Sequence, residues 1–148
     1  RKRSSAASDV YKRQVLPKMG RLAQGPMTMR LLPGEELVGS LSIDVAETDP
    51  TLLLVSRKGQ MTRIDLTPLR RCQRGDLGIM AVVLSADEDS VAGLCSGDSL
   101  AGIVTDQKRH GRLDAGAVVV TAAGQSWGNQ LDLNSKEQVV SVVALKTS

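Results

Sequence analysis

Phenylalanine is absent from this 148-residue chain, and its aromatics are one tryptophan, Trp127, and one tyrosine, Tyr11. A core must therefore be aliphatic, assembled from Leu, Val, Ile, Met and Ala. The only two cysteines, Cys72 and Cys95, lie far apart with no paired spacing. They suit a reduced compartment better than a disulfide framework and read as inert, partly buried thiols. No apolar run approaches the roughly 18 residues that a membrane helix needs, and no secretory signal is visible. Long amphipathic helical stripes are also missing.

Positive charge is scarcer than the totals suggest. The chain carries 19 Lys+Arg against 16 Asp+Glu, a formal charge of +3. The first fourteen residues hold five of the bases and one acid, which leaves 14 bases and 15 acids, or −1, in residues 15–148. The leader is itself anomalous. Back-translation of Ser4–Gln14, "SSAASDVYKRQ", yields a string resembling the read-one adapter of transposase-based sequencing libraries. Residues 1–14 are therefore expected to be a disordered, non-native leader and are set aside from fold reasoning, together with Tyr11. Net basicity then supports no argument for nucleic acid; only the arrangement of charge does.

What is present is strand-and-turn punctuation: short apolar runs broken by Gly, Asp and charged pairs. Thr51–Ser56, "RKG" and Gln60–Asp65 read as one hairpin, and Gly78–Leu84, "SADED" and Ser90–Leu94 as a second. The chain also repeats. Val55–Asp65 aligns without gaps on Val104–Asp114, 49 positions later, and the same offset sets Leu84 on Leu133, Glu88 on Glu137 and Val91 on Val140. Arg21–Leu41 matches Arg74–Leu94 at an offset of 53. Val118–Gln125 also resembles Leu52–Gln60, which leaves a shorter last unit as an alternative register.

A period near 50 with about four strands per unit is the spacing of propeller-like blades, each of which needs neighbours to bury its faces. The expected division is the second half of a blade at 15–50, a complete blade at 51–98 and a last blade at 99–148, an all-β fragment of a larger ring. Such a fragment is expected to be marginally stable and prone to associate.

The unit running from Leu52 to Leu94 resembles the repeats of the C-terminal domain of the bacterial type IIA topoisomerase A subunit, that is, DNA gyrase A and its topoisomerase IV counterpart. The resemblance rests on Leu52–Val55, Ser56, Gly59, Arg63, the Arg/Gly-containing loop Arg70–Gly78, Ile79–Leu84, the acidic turn Asp87–Asp89 and Val91–Leu94, with Gly34–Leu41 matching the acidic turn of another unit. It implies a β-pinwheel whose basic rim bends duplex DNA, with no catalytic residue of its own. It further implies a parent that forms an A-subunit homodimer, meets the B subunit through an N-terminal region and draws on ATP and magnesium there. A cytoplasmic, nucleoid-associated location follows from the same family. The glycine-rich basic box typical of gyrase has as its nearest counterpart Cys72–Gly78, "CQRGDLG", where an acid replaces a base. Gyrase and topoisomerase IV therefore both stay open.

The bases that would touch phosphates are Arg57, Lys58, Arg63, Arg70, Arg71 and Arg74 in the complete unit, with Lys108, Arg109 and Arg112 at its counterpart. Acids gather at other turns, Glu35 and Glu36, then Asp87, Glu88 and Asp89. A basic stripe can hold phosphates despite a net charge near zero, because counterions are released locally. The bland alternative is a solvated surface of mixed charge, and the second functional class is a propeller that presents loops to a protein partner without binding DNA. His110 has no carboxylate or cysteine at ligand spacing and reads as a surface or phosphate contact. Trp127 reads as a packing anchor, and Gly59, Gly78 and Gly124 as turn positions with φ > 0.

Overall fold

The computed structural model describes residues 29–44, 46, 49–69, 75–84, 88–125 and 127–145. The leader at 1–14, Cys72, Asp87 and the bases Arg70, Arg71 and Arg74 lie outside the described residues. Within them there are eight strands, one short 3-10 turn at Ala115–Ala117 and no α-helix.

The first expected hairpin forms with the expected bounds. Strand β1 (Thr51–Ser56) pairs antiparallel with β2 (Gln60–Asp65), Thr51 opposite Asp65 and Val55 opposite Met61. Its turn closes because the Gly59 N–H donates to the Ser56 carbonyl at 3.0 Å while the Ser56 hydroxyl accepts from the Gln60 N–H at 3.0 Å. Gly59 supplies the left-handed conformation this turn requires, at φ 86°.

The repeat is equally visible. Strands β4 (Leu100–Thr105) and β5 (His110–Asp114) pair with Leu100 opposite Asp114, each 49 residues beyond its counterpart in the first hairpin. Lys108, the equivalent of Gly59, adopts φ 60°. A side chain there costs on the order of 1–2 kcal/mol relative to glycine.

The second expected hairpin does not form. Strand β3 (Val91–Ser96) pairs with β1, Leu52 opposite Ser96, and Gly78–Leu84 makes only an isolated parallel bridge, Val82 to Gln125. The reason is burial. β1 is apolar on both faces and almost wholly buried, so it is satisfied as a central strand with a partner on each edge. Ile79, Met80, Val83 and Leu84 are exposed and have no inner face to offer it. In the second unit β8 (Val139–Leu145) takes the place of β3 beside β4, Thr105 opposite Val139. Both pairs carry a register shift at the same point, after Val55 and after Val104.

The third strand also corrects the repeat register. Ser56 faces Val91 and Thr105 faces Val139, so the offset here is 48. Asp89, not Glu88, corresponds to Glu137. The sequence alignment slips by one because it extends the gapless match past a connection that is one residue shorter.

The first sheet runs β3-β1-β2-β6, with β7 also against β2; the second runs β5-β4-β8. Strand β6 (Val120–Thr121) lies parallel to β2 and β7 (Asn129–Gln130) antiparallel to it. A strap formed by residues 119–125 and 127–131 thus returns from the later repeat to close the edge of the earlier sheet. The Thr62 and Thr121 hydroxyls bond at 2.5 Å across this seam. The core joins both units: Leu53, Val55, Met61 and Cys95 pack with Ala101, Ile103, Ala115, Val118 and Val139. Each large aliphatic side chain in it contributes about 1.5–3 kcal/mol by leaving water. Burial also raises the Cys95 thiol above its ordinary pKa, which fits an inert core residue.

Candidate nucleic-acid interface

Backbone hydrogen bonds gather the hairpin tips at one end of the sheets. The Arg57 N–H donates to the Ser90 carbonyl and the Arg57 carbonyl accepts from the Val139 N–H, both at 2.8 Å. One residue back from Val139, the Gln138 carbonyl accepts from the Asp106 N–H at 2.9 Å, and its N–H returns to Asp106 Oδ1 at 3.0 Å. The first tip (Arg57, Lys58), the second tip (Lys108, Arg109) and the turn carrying Lys136 are therefore neighbours.

Two of the acids at this end are turned inward, while Glu88 and Asp106 are exposed. Asp89 is buried and its Oδ1 accepts from the Lys58 N–H at 3.1 Å and from the Ser90 N–H at 2.8 Å. Glu137, also buried, accepts from the Thr105 hydroxyl at 2.6 Å, the Asn134 N–H at 2.7 Å and Arg109 Nη1 at 2.6 Å. The Thr105 hydroxyl, then the Asn134 amide, then Arg109, hold its carboxyl below the usual carboxylate range. These two carboxylates are spent on internal hydrogen bonds, so the exposed charges at this end are mainly the bases, accompanied by Glu88 and Asp106.

The candidate bases divide by what they bond. Arg57 and Lys108 are exposed and Lys58 half-buried, and their side chains make no ion pair among the described residues. Arg109 keeps an exposed guanidinium but is tied to Glu137. Arg63 is committed elsewhere: Nε donates to Thr51 Oγ1 at 3.0 Å, Nη1 to the Gly116 carbonyl at 2.9 Å, and Nη2 lies 3.5 Å from Asp98 Oδ1. It is a tie between β2 and two loops. Arg112 is exposed in mid-strand on β5, away from the tips.

Sequence reasoning missed Lys136. It is exposed and holds φ 63°, in the turn closed by the Glu137 N–H to the Asn134 carbonyl at 3.1 Å. The turn residues Asn134 and Ser135 before it were the available signal. His110 is exposed as expected. Trp127 is half-buried, and its Nε1 is shielded from solvent with no acceptor in reach. Gly59 and Gly124 have positive φ, but Gly78 does not; Gly34 and Gly75 take that role instead. Among the described residues no group of His, Cys, Asp and Glu is placed to hold a metal ion, and no helix is long and apolar enough to cross a membrane.

A sheet of antiparallel strands closed by a strap from the next repeat is the blade of a β-pinwheel, and this chain has that fold. Two solved structures share it. The C-terminal domain of DNA gyrase A matches with a TM-score of 0.71 and 22% identity over 87% of this chain and 44% of that one. The C-terminal domain of DNA topoisomerase IV matches with a TM-score of 0.67 and 19% identity over 81% of this chain and 37% of that one. The chain thus spans less than half of either. No family model and no curated protein matches it.

Proposed function

We propose that the chain is a module that binds and bends duplex DNA, of the kind carried at the C-terminus of a type IIA topoisomerase A subunit. The observation that carries this reading is the hairpin-tip rim. Arg57, Lys58, Lys108 and Lys136 are brought together there, while two of the four nearby acids, Asp89 and Glu137, are spent on internal hydrogen bonds and Glu88 and Asp106 stay exposed. A rim of bases, on residues 15–148 whose net charge is −1, suits phosphates, which are contacted without base readout. Low sequence preference and a dominant bending cost follow. The fold of the two solved domains supports the same reading. In the parent, the module would serve ATP- and magnesium-dependent change of DNA topology carried out by other regions and by the B subunit.

The test is a salt titration of binding to two unrelated duplexes. Replacing Arg57, Lys58, Lys108 and Lys136 with Ala should flatten the log–log salt slope by roughly 2–4 units, at about 0.9 per phosphate contact, and equally for both duplexes. Replacing Arg70, Arg71 and Arg74 measures the share of the Arg/Gly-containing loop. Wild-type binding that does not respond to salt, or a slope that both variants leave unchanged, rejects the reading and favours a protein partner.

A further inference from the structure

Resting on the DNA-binding reading above, we infer that the buried carboxylate of Glu137 is a positioning residue. It aims the Arg109 guanidinium at a DNA phosphate and makes the second hairpin tip a preformed phosphate seat. The two repeats supply the contrast. Arg109 stands where the first repeat has Gln60, and Glu137 where it has Asp89. Asp89 Oδ1 is satisfied by the Lys58 and Ser90 amides and forms no ion pair among the described residues. A buried carboxylate at this place therefore does not require a guanidinium. Glu137 likewise has an acceptor bond on each oxygen, from the Thr105 hydroxyl and from the Asn134 N–H. It holds Arg109 Nη1 at 2.6 Å in addition.

The pair has an inner and an outer partner. The Glu137 side chain is fully buried, whereas that of Arg109 is 51% exposed. A guanidinium is planar, so a bond at Nη1 also fixes the direction of Nη2 and Nε. Those two nitrogens bond nothing among the described residues. Asp106 in the same tip and Asp132 in the groove that Arg109 lines are exposed, but neither makes an ion pair with it. An arginine already ordered in the free chain loses less freedom on binding, and its fork can meet two phosphate oxygens at once.

The backbone of this tip points the same way. Lys108 and Lys136 hold φ 60° and 63°, a conformation that disfavours a side chain. The equivalent positions in the first repeat carry Gly59 and Glu88. Strain of this kind collects where a side chain is needed for function. Here it keeps two lysines beside the oriented arginine, at positions where the first repeat has no base.

Binding of the full chain to a DNA duplex over a salt series tests this. Arg109→Ala should weaken binding roughly tenfold, the scale of one hydrogen bond to a charged group, and flatten the log–log slope by about 0.9. Arg109→Lys keeps the charge but not the fork, so it should lose most of the same factor. Glu137→Gln removes a negative charge, and a carboxylate that merely neutralised Arg109 would then give tighter binding. A positioning carboxylate gives the opposite sign: a loss of roughly tenfold in the wild type, but of no more than about twofold once Arg109 is Ala. Arg109→Lys alters only a half-exposed side chain, so it decides the matter even where Glu137→Gln disturbs the tip. Wild-type affinity in Arg109→Lys, tighter binding in Glu137→Gln, or equal losses from Glu137→Gln with and without Arg109 would overturn the inference. If the slope still flattens when Arg57, Lys58, Lys108 and Lys136 are replaced, those results leave the DNA-binding reading standing. A wild type that binds without responding to salt removes both.

Discussion

The two repeats place equivalent residues in unequal surroundings. In the first sheet Ile64, Met61 and Thr62 on β2 are buried beneath the strap, whereas their counterparts Leu113, His110 and Gly111 on β5 are half-buried or exposed. Val55 is wholly buried and Val104 is 37% exposed. A blade of this kind is completed by what the next repeat lays on it, so stability should be graded along the chain. The bases are distributed differently. The tips of both hairpins join one basic rim through Gln138 and Val139, whether or not a strap covers the strand behind them.

The largest test of that contrast is in the core. Ile64→Ala should cost about 2–5 kcal/mol, because a covered site cannot collapse around the lost methylenes. Leu113→Ala, on the open edge, should cost about 1 kcal/mol for area already partly wet. Paired urea titrations measure both, and equal losses would mean that β5 is covered in solution after all.

A smaller effect is expected at the glycines. A Cβ on Gly59 would meet Leu133 Cδ1 at 2.7 Å and Leu131 Cβ at 3.2 Å, at a φ of 86°. Gly59→Ala should therefore destabilise by about 1–3 kcal/mol through overpacking and backbone strain together. Gly111 has nothing within 4 Å, so Gly111→Ala should stay within about 0.5 kcal/mol. Thermal unfolding of the two variants beside the wild type decides this.

The smallest effect is one of pH. The folded pKa of Glu137 is depressed by Thr105, Asn134 and Arg109. Its contribution is therefore fully present above the unfolded carboxylate value, near 4.3, and is lost as pH falls through the folded value. Glu137→Gln should remove this part of the acid limb and loosen the second hairpin tip while leaving the first, held by Asp89, intact. Hydrogen exchange at pH 4 and pH 7 resolves the two tips, and equal loosening of both would show that they are coupled.

Much of this was legible in the residues. The first hairpin, with its RKG turn, follows from an apolar run, a glycine and a second alternating run, all within fifteen residues. The 49-residue repeat carries the second hairpin, because strands facing each other across a short turn keep their spacing. The partner of β3 was not legible. Gly78–Leu84 is as apolar as β1, and only the competition for a doubly buried central strand assigns Val91–Ser96 to β1. Nor did charge pattern separate Arg63 from Arg57. The two are alike in sequence, but one bonds Thr51, Gly116 and Asp98 while the other stands at a tip.

Sequence alone determined an aliphatic, repeating β chain, since without Phe and with short apolar runs punctuated by Gly and Asp no other core is available. It also marked the first hairpin, the Arg/Gly-containing loop that follows it and the counterpart hairpin as the places where bases concentrate. The tertiary structure decided which bases remain outermost, because a guanidinium is free or bound according to acceptors brought from 12 to 53 residues away. It decided the strap as well. Whether a strand edge is closed depends on the return of a segment from the next repeat, and that long-range pairing leaves no periodic trace in either segment by itself.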